Sequence, residues 1–211
     1  MPEHRRPAAS PHAGEAAALM SERHGWLRFC SAGRPLSVRL DADARPWQAI
    51  VLGGHRHWYG PEVPVQVAGA FVLQYLLQVP AHTAAAAVGV GMRVTRLSAV
   101  SFELGPGGVP RLVEVGGLEQ GADSLEERLE MAESDYLEVA EPMARAYRST
   151  RPMSTHQRSG MVRDIWAEAA RAARARTGSF PLAEPRRTSC CLIYALPGCV
   201  ECSGCPRLGR R

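Results

Sequence analysis

Five of the six cysteines fall in residues 186–211, RRTSCCLIYALPGCVECSGCPRLGRR, at Cys190, Cys191, Cys199, Cys202 and Cys205; Cys30 stands apart. Structural cysteines scatter through a core as small hydrophobes, so thiols gathered this closely point to a thiophilic metal or cluster. Cys202 and Cys205 are separated by two residues, a chelate loop in which both sulfurs turn onto one centre. Cys190 and Cys191 are adjacent, which is a different constraint. Their Cα atoms lie about 3.8 Å apart, and in an extended strand their side chains point to opposite faces. Serving one centre therefore needs a bent backbone, and a two-iron cluster offers each sulfur a nearby target. Tetrahedral zinc more often takes two C-x2-C pairs. The run Cys199-x2-Cys202-x2-Cys205-Pro206 matches three cysteines of a bacterial ferredoxin motif, which holds [4Fe–4S]. On residue types alone, two-iron, four-iron, zinc and thiol-switch readings all stay open.

The arrangement CC-x10-C-x2-C, preceded by arginines, continuing CC-L-x-Y-x-L-P and closing on Cys202-Ser-Gly-Cys205-Pro206, resembles the FhuF-like ferric-siderophore reductases. The resemblance covers about residues 186–208, and the helices upstream agree with the family in general character. It implies a [2Fe–2S] cluster held by Cys190, Cys191, Cys202 and Cys205, with Cys199 a bystander, and Cys30 reads as a plain thiol. It implies an oxidoreductase that passes one electron to chelated Fe(III) to release Fe(II), which hard oxygen donors hold poorly. Arg186, Arg187, Arg207, Arg210 and Arg211 flank the cysteines. Positive charge there favours the more negative reduced cluster, and could attract an anionic chelate or an acidic donor. Arg210 and Arg211 read equally as a solvated tail. Gly204 is expected to allow the tight turn between Cys202 and Cys205, whose amides would donate to sulfur. Tyr194, with Trp58 and His57, is a candidate wall for a ferric siderophore lying between the body and the segment.

No Walker sequence occurs, and Gly89-Val-Gly91 lacks the third glycine of a dinucleotide loop. The electron donor is therefore expected to be external, a ferredoxin or a flavin reductase. Two other classes remain: a redox- or iron-sensing protein using the same cluster, with its acidic helix as a docking face, and a zinc-stabilised interaction domain.

The elements that must position these thiols follow from periodicity. The fold expected is α+β: a mainly helical body with a small β-hairpin or sheet, and an irregular C-terminal cysteine-rich segment. Residues 1–20 read as a flexible tail, 21–180 as the body and 181–211 as the cluster-binding segment. Alternation at Leu36, Val38 and Leu40 suggests a strand, and 49–52 is a short apolar run closed by Gly53-Gly54. His55 and His57 are candidate ligands or siderophore contacts, though their i, i+2 spacing is common in plain loops. An apolar helix is expected over 65–79, stopped by Pro80, followed by an alanine-rich helix over 81–88. Residues 92–104 and 109–115 flank a Gly-Pro-Gly-Gly turn as a hairpin. Ser124 with Glu127 forms a capping box opening a helix to about residue 147, which Pro142 should kink or break near Val139. Its glutamates read as a solvated face. A last helix is expected over 155–175, ended by Gly178, with Pro181 and Pro185 leading irregularly to the cysteines.

Composition narrows the partners. All 25 basic residues are arginine and the formal net charge is +4, a bias in coding rather than a basic patch, so no nucleic acid is expected. Arg5-Arg6 is followed by no apolar core of the kind a twin-arginine leader needs. The run 65–79 contains Gln66, Gln74 and Gln78, too short and polar to span a bilayer. The protein is thus expected in the cytoplasm and not integral to a membrane, in a compartment where clustered thiols bind metal more often than they form disulfides.

Overall fold

A computed structural model describes residues 11–31, 33, 35–178 and 186–208. Arg5-Arg6, Pro181, Pro185, Arg210 and Arg211 lie outside them. The architecture is α+β: the described residues form five α-helices, a small four-stranded sheet with a separate two-stranded one, and an irregular cysteine-rich C-terminal segment.

The helix α3, Val65–Val88, is the axis of the body. Residues from Leu76 to Val88 are buried without a break, and their small alanines let neighbouring helices approach closely. Pro80, expected to end a helix at residue 79, sits inside this one. Proline in a helix interior loses one ladder bond and costs about 3 kcal/mol; here the packing of an entire buried helix outweighs that. The longer helix now has the length and apolar content of a membrane span, but 83% of its most apolar window is covered by the protein itself. It is a core helix.

Against α3 pack α2 (Arg45–Tyr59), α4 (Leu125–Ala146) and α5 (Thr155–Arg176). Ser124 caps α4 by accepting from the Glu127 N–H at 3.1 Å, as the capping box requires, and Ser154 caps α5 the same way through Gln157. Pro142 does not end α4, which continues to Ala146. Tyr136 of α4 stacks on Trp166 of α5 at 5.4 Å, and its hydroxyl donates to the Val162 carbonyl. That contact fixes the face α5 turns toward the body.

Three local expectations are corrected. Residues 11–20 belong to a helix, α1 (Pro11–Arg23), tied down by buried Ala17 and Met20, so a flexible lead does not extend through them. The apolar run at 49–52 lies in α2, which passes through Gly53 and Gly54; Gly54 faces the Gly107 backbone, where a Cβ would lie 3.3 Å from its Cα. The expected long strand from 92 is broken into β3 (Met92–Val94), a single 3-10 turn and β4 (Ser101–Leu104). The hairpin itself is present. β4 pairs antiparallel with β5 (Pro110–Glu114), and flanking strands β1 (Arg28–Cys30) and β2 (Val38–Arg39) complete the order β1-β5-β4-β2. β3 pairs separately with β6 (Leu118–Gln120).

Two buried histidines join α1 to α3. His24 Nδ1 accepts from the Leu27 N–H at 3.0 Å, so its Nε2–H faces His82 Nδ1 at 3.3 Å. Burial, with Arg176 and Arg28 nearby, lowers His24 to about 4; burial, His24 and Arg176 lower His82 to about 3. Both folded values lie below the ordinary 6.5, so the unfolded chain binds more protons between them. Stability is therefore complete above about pH 6.5 and falls as pH drops toward 4, by up to about 1.4 kcal/mol per pH unit for each imidazole. Thermal melts from pH 7.5 to 4 should show this decline. His82→Gln, which cannot protonate, should flatten it; an unchanged slope in that variant would reject the assignment.

Candidate iron–sulfur site

Helix α5 carries, beside its apolar face, a second stripe at three- and four-residue spacing: Gln157, Gly160, Asp164, Glu168 and Arg171. The cysteine segment is laid against it. Gln157 Nε2 donates to the Cys190 carbonyl at 2.9 Å. Asp164 accepts from the backbone N–H groups of Thr188 and Ser189 at 2.9 and 2.7 Å, and from both hydroxyls. Gly160 lets the segment come this close. A Cβ there would stand 3.0 Å from Thr188 Oγ1 and 3.1 Å from Ser189 Cβ. The Asp164 carboxylate, only 6% exposed, also faces the Arg187 guanidinium at 3.9 Å.

The bend that adjacent cysteines demand is supplied immediately after them. Leu192 is left-handed (φ 64°), the only non-glycine residue so disposed among those described, and its N–H points at Cys190 Sγ at 3.4 Å. Arg187 N–H donates to the Gly204 carbonyl at 3.1 Å, which brings the start of the segment against its end. Cys205 N–H closes on the Cys202 carbonyl at 2.9 Å. Gly204 thus enters through its carbonyl; among the described residues of the segment the left-handed glycine is Gly198.

The thiols neighbour one another: Cys205 perturbs Cys190, and Cys191 perturbs Cys202. Cys191 also acts electrostatically on Cys190, and Cys205 on Cys202, so the four form one group. Burial raises Cys190, and burial raises Cys202 to about 11, with Arg187 pulling Cys202 the other way. Thiolates in such a place need a cation's charge to exist. Among the described residues no three Cys, His, Asp or Glu side chains are arranged around a single ion. Four neighbouring thiols on a segment bent at Leu192 are a donor set that a two-iron cluster can take. The residues present fit a two-iron cluster.

The remaining sequence candidates are placed elsewhere. Cys199 packs with Val63, Val67 and Leu196 in a small apolar cluster at the start of α3. Tyr194 lies under the Arg207 guanidinium at 4.1 Å, and Arg207 pairs with Glu201 at 3.7 Å. A cavity of about 270 Å³ does open beside Cys202, walled by Gln74 and Gln78 of α3, Arg171 of α5, and Arg186 and Arg187. Tyr194, His57 and Trp58 are not on its wall. His55 and His57 lie in α2, not in a loop; His55 packs edge-on to Phe71 at 4.8 Å, and Trp58 is 76% exposed. Sequence reasoning missed Gln74, Gln157, Gly160, Asp164 and Arg171. Their signal was available: polar or small residues at helical spacing on a face the apolar pattern leaves unused.

An irregular segment bringing four thiols together on the flank of a helical body is a site for a thiophilic metal or an iron–sulfur cluster. Residues 187–207 match the family model of the FhuF 2Fe-2S C-terminal domain, so the chain carries that domain and its cofactor is a [2Fe–2S] cluster. The match spans the cysteine segment, not the helical body or the α5 residues that anchor the segment. No curated protein and no solved structure matches the chain.

Anchoring by α5 is testable apart from the ligands. Asp164→Ala leaves two backbone N–H groups without a partner, at about 1–3 kcal/mol each, and Gly160→Leu drives a side chain into Thr188 and Ser189. Both should yield protein of normal helical content by circular dichroism whose visible cluster absorbance is lost or bleaches far faster in air. Undiminished cluster retention in both would show that the segment does not depend on α5.

Proposed function

We propose that this protein is a cytoplasmic ferric-siderophore reductase whose cluster ligands are Cys190, Cys191, Cys202 and Cys205. One observation carries the reading: the cavity that reaches one of these thiols, Cys202, is lined by arginines rather than closed by apolar side chains. A purely structural metal site needs no such opening. When bound, the cluster supplies one-electron chemistry, giving up an electron as chelated Fe(III) becomes Fe(II), with no bond made to the protein.

The chain's own residues do the rest. Asp164 and Gln157 hold the ligand-bearing backbone against α5, so that the thiols need not reorganise between oxidation states. Leu192 N–H, aimed at Cys190, and Arg187, close enough to act on Cys202, both favour added negative charge and raise the potential. For a one-electron couple about 59 mV is a tenfold change in equilibrium. Arg186 and Arg187 also sit where the chelate must approach. The electron comes from an external reductant, a ferredoxin or flavin reductase.

Serine at Cys190, Cys191, Cys202 or Cys205 should abolish or destabilise the cluster, whereas Cys199→Ser should leave its spectrum nearly unchanged, judged by EPR of the dithionite-reduced protein. Loss in Cys199→Ser with an intact cluster in Cys191→Ser would overturn the ligand set. Reduced protein mixed in a stopped-flow with a ferrioxamine-type chelate should be reoxidised as Fe(II) appears. A cluster that stays reduced would sink the reductase assignment and leave a sensor or electron carrier.

A further inference from the structure

The cavity beside Cys202 carries more than access. Arg171 Nε, Arg187 Nε and Arg187 Nη2 are buried and have no hydrogen-bond partner. The nearest carboxylate, Asp164, is an ion partner of Arg187 at 3.9 Å, beyond hydrogen-bonding length. It cannot move closer without giving up the donors of Thr188 and Ser189 that anchor the segment. Buried guanidinium donors left unmet cost free energy that a ligand oxygen would recover. Three arginines, Arg171, Arg186 and Arg187, face two carboxylates, Asp164 and Glu168, of which Asp164 is already filled. On the opposite wall Gln74 Oε1 is buried and unpartnered as well, an acceptor waiting for a hydroxyl or amide hydrogen.

We infer that this cavity is an anion-selective seat for the charged donor edge of a ferric chelate, carboxylate or catecholate oxygens on Arg171, Arg186 and Arg187, with a neighbouring hydroxyl or amide of the ligand donating to Gln74. This rests on the reductase reading and gives it a substrate class. A volume of about 270 Å³ admits one iron-bearing edge or a small chelate, not a whole hexadentate siderophore. The edge enters while the ligand's backbone stays outside, and the iron is brought next to the Cys202 side of the cluster. An acidic protein partner is the weaker fit. The Arg187 side chain is only 16% exposed, recessed behind a rim, whereas a protein docking surface presents its charges outward.

Redox-inert gallium separates binding from reduction. Calorimetric titration of the oxidised, cluster-loaded protein should show gallium(III) tris-catecholate, a trianion, binding at least tenfold more tightly than neutral gallium(III) tris-acetohydroxamate. Arg171→Gln should reduce that preference about tenfold with the cluster EPR signal retained. Arg174→Gln, one residue cluster away on α5 and paired with Glu126 at 2.6 Å, should preserve it. Equal binding of the two complexes, no binding of either, or an unchanged preference in Arg171→Gln would each overturn the seat. The ferric counterparts, mixed with reduced protein, report on the parent reading independently. Reoxidation together with equal binding of the two gallium complexes rejects the seat alone. No reoxidation by either ferric complex rejects the reductase, and the hydroxamate is the decisive one because catecholate oxygens hold Fe(III) more strongly against reduction.

Discussion

A buried carboxylate on one helix, Asp164, fixes the chain segment that bears the cysteines, and most of the site's properties descend from it. It satisfies the N–H groups and hydroxyls of Thr188 and Ser189, the two residues immediately before Cys190. A segment with no regular secondary structure has no ladder to satisfy its backbone, so these bonds and that of Gln157 to the Cys190 carbonyl take the ladder's place. Because Asp164 is occupied in this way, the guanidinium of Arg187 keeps its charge beside Cys202 without being drawn into a tight ion pair. Anchoring and electrostatics share one side chain.

The helical body makes this anchoring rigid. α5 is held by the stacked Tyr136 and Trp166 and by the fully buried second half of α3. The same α3 contributes Gln74 and Gln78 to the cavity wall. One helix therefore closes the hydrophobic core and supplies polar groups to the site, which explains glutamines inside the most apolar stretch of the chain. The body is a scaffold whose outward stripe on α5 is matched to a short, thiol-rich tail.

A cluster on such a tail needs protection and access together. Cys191 and Cys205 are buried, while Cys190 and Cys202 are partly exposed. Burial disfavours the free thiolates of Cys190 and Cys202, which a bound cation would offset, and the opening lies on the side of Cys202, where arginine charge is concentrated. In the proposed reductase, that asymmetry gives electron exit a direction.

The sequence by itself showed a tail built for a thiophilic metal or cluster, which the family resemblance narrowed to [2Fe–2S], and it showed the helices α4 and α5 and the apolar first half of α3. Cysteine spacing is a local constraint, legible because chelation depends on how few residues separate two sulfurs, and capping at Ser124 and the apolar stripes depend on neighbours three or four residues away. What escaped it was decided at long range. Pro80 and Pro142 sit inside helices because tertiary burial exceeds their local cost, and residues 11–20 fold because Ala17 and Met20 find a core to enter. The tertiary structure gives Cys199 apolar neighbours at the start of α3, and only it brought Gly160, Asp164 and Arg171 to the cysteines. Those contacts join residues more than twenty positions apart, and no periodicity within a single segment encodes which distant segment will come to rest on it.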